Sequence, residues 1–246
     1  MITYYKTIRT YAFWAASSVI FMPICLALAL LPENKRYNKL YYIVASTWNC
    51  FLVFFGCFCI KKSQETETLP NFYQHPAIFV LNHSSALDIL LAEVIAGKYP
   101  HIWISKIEYA KIPLWGFLLK RMHSLMDKNN PRKSLKELIK TYHLAAKNKL
   151  SVFIFPEGTR SEDGKINSFN SGFIMLAKKL NYPIIPISIY GANLIMKKNS
   201  FLINPRASDI KINIGKPMLL SKEKTDKEFL LEVENWFKLK LNQNVD

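Results

Sequence analysis

The sequence of 246 residues lacks the short motifs that nucleotide-dependent and hydrolytic enzymes commonly carry. Its eight glycines include no G-x-G pair, so a dinucleotide-binding loop is absent. The phosphate-binding loop G-x-x-x-x-G-K-S/T and the nucleophile elbow G-x-S-x-G are also missing. Hydride transfer, nucleotide hydrolysis and ordinary serine hydrolysis therefore lack their usual sequence signals.

Acidic residues and cysteines are both scarce. Eighteen Asp and Glu stand against 33 Lys and Arg, and the net charge of +15 indicates an anionic partner, either nucleic acid or a membrane surface. No zinc finger, RNA-binding box or long basic helix accompanies this charge, so we expect no nucleic acid partner. The cysteines lie in apolar runs without nearby histidines or carboxylates, which predicts neither a metal site nor disulfides: Cys25, Cys50, Cys57 and Cys59.

Two long uncharged runs open the chain, at residues 10–32 and 40–60, with a polar turn at 33–39 between them. Each run can cross a hydrocarbon core of about 30 Å as a helix. We therefore predict a membrane-embedded two-helix hairpin over residues 1–62, rather than a cleaved signal peptide. Basic residues flank both ends and fill the turn, so the positive-inside rule leaves two topologies open. The hairpin either spans the bilayer or dips into one leaflet.

Residues 63–246 alternate short apolar runs with amphipathic segments, which predicts one α/β domain containing a mostly parallel sheet with flanking helices. The predicted strands are 77–81, 101–105, 151–155, 184–190 and 209–214. The predicted helices are 85–95, 113–122, 131–149, 172–180 and 225–241.

The first chemically informative segment, N-H-S-S-A-L-D at residues 82–88, directly follows a predicted strand. Side chains in the first turn of a helix point back toward its N-terminus, so Asp88 can reach the imidazole of His83. A carboxylate that holds one ring nitrogen leaves the other free to act as a base. The alternative is structural: Asp88 stabilises the helix N-terminus and His83 occupies a turn.

The second segment, F-P-E-G-T-R-S at residues 155–161, also follows a predicted strand. Arg160 offers a planar fork for a phosphate, and Gly158 allows close approach of the backbone. Glu157 could orient Arg160 or accept a hydrogen bond from a substrate hydroxyl. The alternative is a surface turn with an ordinary ion pair.

These two segments resemble the N-H-x-x-x-x-D and F-P-E-G-T-R-S motifs of the glycerolipid acyltransferases, and they are most similar to those of the lysophosphatidic acid acyltransferases. Shorter similarities occur in the same order at residues 106–109, 127–129 and 183–186. The resemblance covers most of residues 75–190, and the apolar hairpin is similar to the membrane-binding module of that family.

The resemblance implies transfer of a fatty acyl group from a thioester of coenzyme A or acyl carrier protein to the sn-2 hydroxyl of 1-acyl-glycerol 3-phosphate, giving phosphatidic acid. No cofactor beyond the thioester co-substrate and no metal is implied. His83 is the expected general base and Asp88 its orienting partner. The expected substrate-binding residues are Lys106, Lys128, Glu157, Gly158, Thr159 and Arg160.

The resemblance also implies a membrane-bound protein whose partners are lysophosphatidic acid, an anionic bilayer and the thioester carrier. The α/β domain is expected on the cytoplasmic face, of the inner membrane if the cell is bacterial.

Two positions depart from the family pattern. Lys128 stands where the family has Arg after Asp, and Asn170 replaces the Lys of its F-K-x-G segment. These departures leave the acceptor open, since another lysophospholipid or glycerol 3-phosphate would suit the same chemistry. A non-catalytic basic membrane-binding protein, in which His83 only packs, is a more distant hypothesis.

Overall fold

The computed structural model of the protein describes residues 2–56, 59–62, 75–204, 209–221 and 223–243. The chain begins with the helices α1 (Ile2–Leu30), α2 (Glu33–Arg36) and α3 (Lys39–Phe55). The elements that follow are, in order, β1 (Cys59–Lys62), β2 (Ile78–Leu81), α4 (Leu87–Ala96), β3 (His101–Lys106), a 3₁₀ helix (Ile107–Lys111), α5 (Trp115–Met122), β4 (Ser124–Met126), α6 (Pro131–Asn148), β5 (Ser151–Ile154), α7 (Gly172–Leu180), β6 (Ile184–Tyr190), α8 (Ala192–Ile195), β7 (Asp209–Ile214) and α9 (Asp226–Asn242).

The strands form a seven-stranded sheet in the order β1-β7-β6-β2-β5-β3-β4. Neighbouring strands are parallel except β6 and β7, which are antiparallel. Every residue of β2 and β5 is buried, as expected for parallel strands that are covered on both faces. The predicted α/β class and mostly parallel sheet are therefore confirmed.

Helices cover both faces of this sheet. On one face, α6, α7 and α9 bury apolar side chains such as Ala145, Phe173 and Phe237. On the other face, α4 and α8 pack with residues from α1 and α3, including Leu91, Ile195 and Val53. The carboxyl ends of β2, β3 and β5 meet at one edge, which is where open α/β sheets bind ligands.

The sequence predicts a helix that begins at Pro113, but α5 begins later, at Trp115. The 3₁₀ helix ends at Lys111, and Leu114, in the turn that leads into α5, adopts a positive φ of 59°. A Cβ atom on Gly116 would lie 2.3 Å from the carbonyl oxygen of Ala110. Glycine therefore lets α5 pack directly against the 3₁₀ helix.

The apolar helices α1 and α3 pack against each other through aromatic side chains. Trp14 Nε1 donates to the carbonyl oxygen of Leu52 at 3.0 Å, and the rings of Phe13 and Phe55 stack with centroids 3.9 Å apart. By length and composition α1 could cross a membrane, whereas α3 has 17 residues. The turn between them contains the short helix α2.

The prediction that residues 40–60 form one helix is wrong at its C-terminal end. Helix α3 ends at Phe55, and the N–H of Gly56 donates to the carbonyl oxygen of Leu52. Cys59–Lys62 is strand β1, which pairs in parallel with β7. These four residues of the predicted hairpin are therefore part of the sheet. The division into domains at residues 1–62 and 63–246 stays a prediction. Of the cysteines, Cys25 and Cys50 are free thiols, and Cys57 lies outside the described residues.

Both ends of α1 are bonded to the α/β domain. Near its N-terminus, Thr7 Oγ1 accepts a hydrogen bond from the N–H of Ile203 at 3.0 Å. At its C-terminus, the guanidinium of Arg121 donates to three main-chain carbonyl oxygens, those of Ala29, Leu30 and Leu31. Helix α1 therefore lies along the domain and does not project from it.

The two long helices leave many large apolar side chains exposed, among them Ile8, Val19, Ile20, Leu40, Phe51 and Phe54.

Candidate active site

The loop after β2 brings His83 and Asp88 together. His83 Nδ1 lies 3.0 Å from Asp88 Oδ2, and the same carboxylate oxygen accepts the N–H groups of Ser84 and Ser85 at 2.7 Å each. Asp88 is fully buried. Because a carboxylate only accepts hydrogen bonds, this contact places the proton of a neutral imidazole on Nδ1 and leaves Nε2 free as a base.

The second motif forms a loop that is bonded to the first. Glu157 Oε1 accepts the main-chain N–H of His83 at 2.7 Å, and the N–H of Ser161 donates to the carbonyl oxygen of His83 at 2.8 Å. Glu157 Oε2 accepts both the N–H and the side-chain amide of Asn167, at 2.8 and 2.9 Å. In our sequence interpretation Glu157 orients Arg160 or binds substrate, whereas here the Glu157 carboxylate fixes the backbone on which His83 stands. Its predicted contact with substrate stays a prediction.

Two lysines lie beside this loop. Gly158 has a positive φ of 62°, and a Cβ atom there would lie 2.9 Å from Lys128 Nζ. Partial burial and the nearby ammonium of Lys106 lower the pKa of Lys128. Neither lysine forms an ion pair with another described residue. The carboxylate of Glu108 opposes the lowering of the Lys128 pKa, so it offsets part of this charge. The two side chains still provide positive charge on the wall that also contains His83 and Gly158.

A cavity of about 730 Å³ connects these groups. His83, Lys106, Lys128 and Gly158 belong to its wall, and the rest is lined mostly by apolar side chains of α3, α4, α5, α6, β3 and α7. Its size falls within the usual range for small-molecule sites. The arrangement joins the imidazole of His83, two cations and space for a long apolar group.

Thr159 and Arg160 do not line this cavity. Thr159 is exposed, Arg160 is half-buried, and Arg160 forms no ion pair with any residue that the structure describes. The structure therefore brings together His83, Asp88, Lys106, Lys128 and Gly158, and it places Thr159 and Arg160 at the margin of the site. Their predicted role in substrate binding stays a prediction.

Several residues that support the site were not predicted from the sequence. The ring of Phe155 stacks on His83 with centroids 4.1 Å apart, and Trp103 stacks on Phe155 at 5.5 Å. The indole of Trp103 donates in turn to Glu93, whose carboxylate also lies 3.3 Å from His101 Nε2. Burial alone would raise the pKa of Glu93, but His101, His123 and the hydrogen bond from Trp103 together outweigh this effect and the pKa is lowered. The available signal was Glu93 itself, a single carboxylate inside the otherwise apolar run at residues 89–96.

We expect stability to depend on pH through Glu157. Burial raises the pKa of Glu157 from 4.5 to about 7, although hydrogen bonds from Asn167 and His83 oppose the rise. The folded protein therefore binds an extra proton between these two values, so stability falls as the pH rises through this window. The stabilising effect of the proton is complete below pH 4.5 and is lost above about 7.

The substitution Glu157→Gln removes this titration. Between pH 4.5 and 8, we expect the unfolding free energy of wild type to fall by up to about 3 kcal/mol more than that of Glu157→Gln. Denaturant unfolding in detergent at a series of pH values measures the difference, with the exposed Glu223→Gln as matched control. Parallel pH curves for wild type and Glu157→Gln would contradict the expectation.

The fold agrees with the comparisons with known proteins. The chain belongs to the acyltransferase family, whose model matches residues 60–190, more than half of the chain. The fold is that of the 1-acyl-sn-glycerophosphate (LPA) acyltransferase PlsC from Thermotoga maritima. The TM-score is 0.78 at 23% identity, over 98% of this chain and 95% of the other.

Individual relatives are named for the same activity. A chloroplastic 1-acyl-sn-glycerol-3-phosphate acyltransferase of Brassica napus is 32% identical over 77% of this chain and 53% of its own length. A protein of the same name from Cocos nucifera is 35% identical over 55% of this chain and 44% of its own. The chain thus spans about half the length of these plant relatives. A protein of the same name from Pseudomonas aeruginosa is 26% identical over 74% of this chain and 70% of its own length.

Proposed function

We propose that the protein transfers a fatty acyl group from an acyl thioester, of coenzyme A or acyl carrier protein, to the sn-2 hydroxyl of 1-acyl-glycerol 3-phosphate, giving phosphatidic acid. The observation that carries the proposal is the 3.0 Å contact between His83 Nδ1 and Asp88 Oδ2 at the wall of the large apolar cavity. Family membership and the names of the relatives support the same reaction.

In this mechanism His83 removes the proton of the acceptor hydroxyl. The hydroxyl oxygen attacks the thioester carbonyl carbon, and the C–O bond forms as the hydroxyl proton moves to His83 Nε2. The tetrahedral intermediate then collapses with cleavage of the C–S bond. The thiolate receives the proton back from Nε2 and leaves as a thiol, so that His83 returns to its starting state. Asp88 stabilises the imidazolium between the two transfers.

The cavity supports binding of both substrates. Its apolar walls suit a fatty acyl chain, whose burial contributes about 0.8 kcal/mol for each CH₂ group. Lys106 and Lys128 offer two positive charges to the phosphate of the acceptor, beside the base that activates its hydroxyl. Lys128 stands where the family pattern has arginine. It therefore offers a second point charge in place of the planar fork of a guanidinium.

One assay tests the reaction directly. The purified full chain in detergent is offered oleoyl and palmitoyl thioesters against lysophosphatidic acid, other lysophospholipids and glycerol 3-phosphate, and the products are identified by mass. We expect phosphatidic acid as the main product. Preferential acylation of another acceptor would move the assignment to that acceptor, and the absence of any product would favour the non-catalytic membrane-binding hypothesis.

We also propose that the α1–α3 hairpin lies in one leaflet of the membrane. Both ends of α1 are bonded to the same α/β domain, which is hard to reconcile with one end on each side of a bilayer. The exposed apolar side chains on the outer face of the hairpin, such as Val19 and Phe54, would enter the lipid. Placement of the α/β domain on the cytoplasmic face stays a prediction.

Extraction from membranes checks this attachment. The intact chain should stay with the membrane in 1 M salt and require detergent for release, because apolar burial is not screened by ions. The measurement is the fraction of protein in the supernatant after each wash, with a peripheral protein of similar charge as control. Quantitative release by salt alone would show that surface charge, not the hairpin, holds the protein.

A further inference from the structure

A second cavity, of about 580 Å³, lies between α2, α5 and α6. Its wall shares only His123 with the wall of the cavity that contains His83. Six of its side chains are cationic and one is a carboxylate: Arg36, Lys120, Arg121, Lys136, Lys140, Lys147 and Glu33. We call this cavity the basic pocket.

The buried member of the basic pocket is Arg36, which is only 9% exposed. Its Nε atom has no hydrogen-bond partner among the described residues, and its terminal nitrogen lies 3.5 Å from Glu33 Oε2. A buried charged group is stable only when it is paired and hydrogen-bonded. The guanidinium of Arg36 also lies over the ring of Tyr37, 5.3 Å from the centroid, so Nε is the part of Arg36 that is left to bind a further anion.

The other charges of the basic pocket do not supply that anion. Glu33 is shared, because its second oxygen accepts from Lys147 Nζ at 2.9 Å. Arg121 is directed at the main-chain carbonyl groups that end α1. Lys140 pairs with Glu137 at 3.4 Å, whereas Lys120 and Lys136 form no ion pair with any other residue in the described part of the chain. The pocket thus keeps an excess of positive charge that an external anion would neutralise.

We propose that the basic pocket binds a phosphate group, supplied by the headgroup of an anionic membrane lipid. Arg36 lies in the turn of the hairpin, and the adjoining Leu30 and Leu40 are exposed, so the pocket opens where the proposed hairpin meets the lipid headgroups. A phosphate is small enough to enter the concave site and reach the buried guanidinium, which can donate hydrogen bonds to two of its oxygens in fork geometry. A flat acidic protein surface could not enter the pocket and reach the guanidinium of Arg36.

The choice of a lipid rests on the proposed membrane attachment, but its test does not depend on acyl transfer. The full chain is purified in a neutral maltoside detergent and equilibrated with radiolabelled dioctanoyl phosphatidylglycerol or dioctanoyl phosphatidylcholine. We expect saturable binding of about one phosphatidylglycerol and at least about tenfold weaker binding of phosphatidylcholine, whose headgroup has no net charge. Inorganic phosphate is added as a competitor in a parallel series.

Variants assign the binding to the basic pocket. Arg36→Gln should weaken phosphatidylglycerol binding at least about tenfold, the effect of losing one charge-assisted hydrogen bond. Lys120→Gln/Lys136→Gln changes two exposed side chains, so it tests the pocket even if Arg36→Gln does not fold. The control Lys227→Gln/Lys238→Gln removes the same charge from exposed positions of α9.

Specific loss in the pocket variants, with wild-type binding in the control, supports the proposal. Equal binding of the two lipids, wild-type binding by the pocket variants, or an equal loss in the control would overturn it. Displacement by millimolar inorganic phosphate would overturn the lipid source and assign the pocket to a free phosphate. Loss of enzymatic activity alone bears only on the proposed function.

Discussion

The substitution His83→Ala should lower the rate of acyl transfer by about 10²–10⁴-fold, which is the usual contribution of a general base. The acceptor hydroxyl is a poor nucleophile until its proton is removed, and His83, the proposed base, lies on the cavity wall. Turnover of saturating oleoyl thioester and lysophosphatidic acid by the purified variant measures the effect. His75→Ala changes an exposed histidine that lies before β2 and should retain wild-type turnover.

Asp88→Asn should also lose most of the activity, because an amide can present its NH₂ group to His83 Nδ1 and so favour the wrong tautomer. This variant carries a structural effect as well, since Asp88 Oδ2 accepts the N–H groups of Ser84 and Ser85. His83→Ala is therefore the cleaner test, with thermal unfolding as the control for folding. Near-normal turnover of a folded His83→Ala protein would contradict the mechanism.

The parts of the protein that could be predicted from sequence are those set by neighbouring residues. The strand at Ser151–Ile154 follows from a short apolar run, and the start of α9 follows from the capping box formed by Thr225 and Glu228. The contact between His83 and Asp88 is predictable for the same reason, since five positions separate them across a strand end and a first helical turn.

Contacts between distant parts of the chain could not be predicted in this way. Glu157 bonds the backbone of His83 across 74 positions, so no local spacing distinguishes it from an acceptor-binding residue. Strand β1 is joined to the sheet by its pairing with β7, although it continues an apolar run that began as a helix. The position of α1 along the α/β domain likewise depends on bonds to Ile203 and Arg121.

The second large expected effect is on the KM for the acceptor, when Lys106 or Lys128 on the cavity wall is substituted. Lys106→Gln and Lys128→Gln should each raise the KM for lysophosphatidic acid about ten- to hundredfold, since a hydrogen bond to a charged group contributes about 1.5–3 kcal/mol. The KM for the acyl thioester should stay almost unchanged. Steady-state kinetics with each substrate varied in turn measures both values, and Lys165→Gln, on an exposed loop, is the matched control.

Arg160 provides the contrast to these lysines. The resemblance to the acyltransferase motif predicts that its fork holds two oxygens of a phosphate monoester, so Arg160→Lys keeps the charge but should still raise the acceptor KM strongly. An unchanged KM in Arg160→Lys, with a large rise in the lysine variants, would assign the phosphate to Lys106 and Lys128 alone. That outcome would agree with the position of Arg160 outside the cavity wall.

Comparison of two acceptors in these same variants tests the assignment to phosphatidic acid synthesis. Lysophosphatidic acid presents a phosphate monoester, whereas the phosphodiester of lysophosphatidylcholine has a single negative charge that gains less from two cations and a guanidinium fork. Wild type should therefore prefer the monoester, and Lys128→Gln and Arg160→Lys should weaken the monoester more than the diester. A wild-type preference for lysophosphatidylcholine, with small effects of both substitutions, would contradict the assignment. The three positive charges would then have to serve the thioester donor, and its KM is the value that would rise.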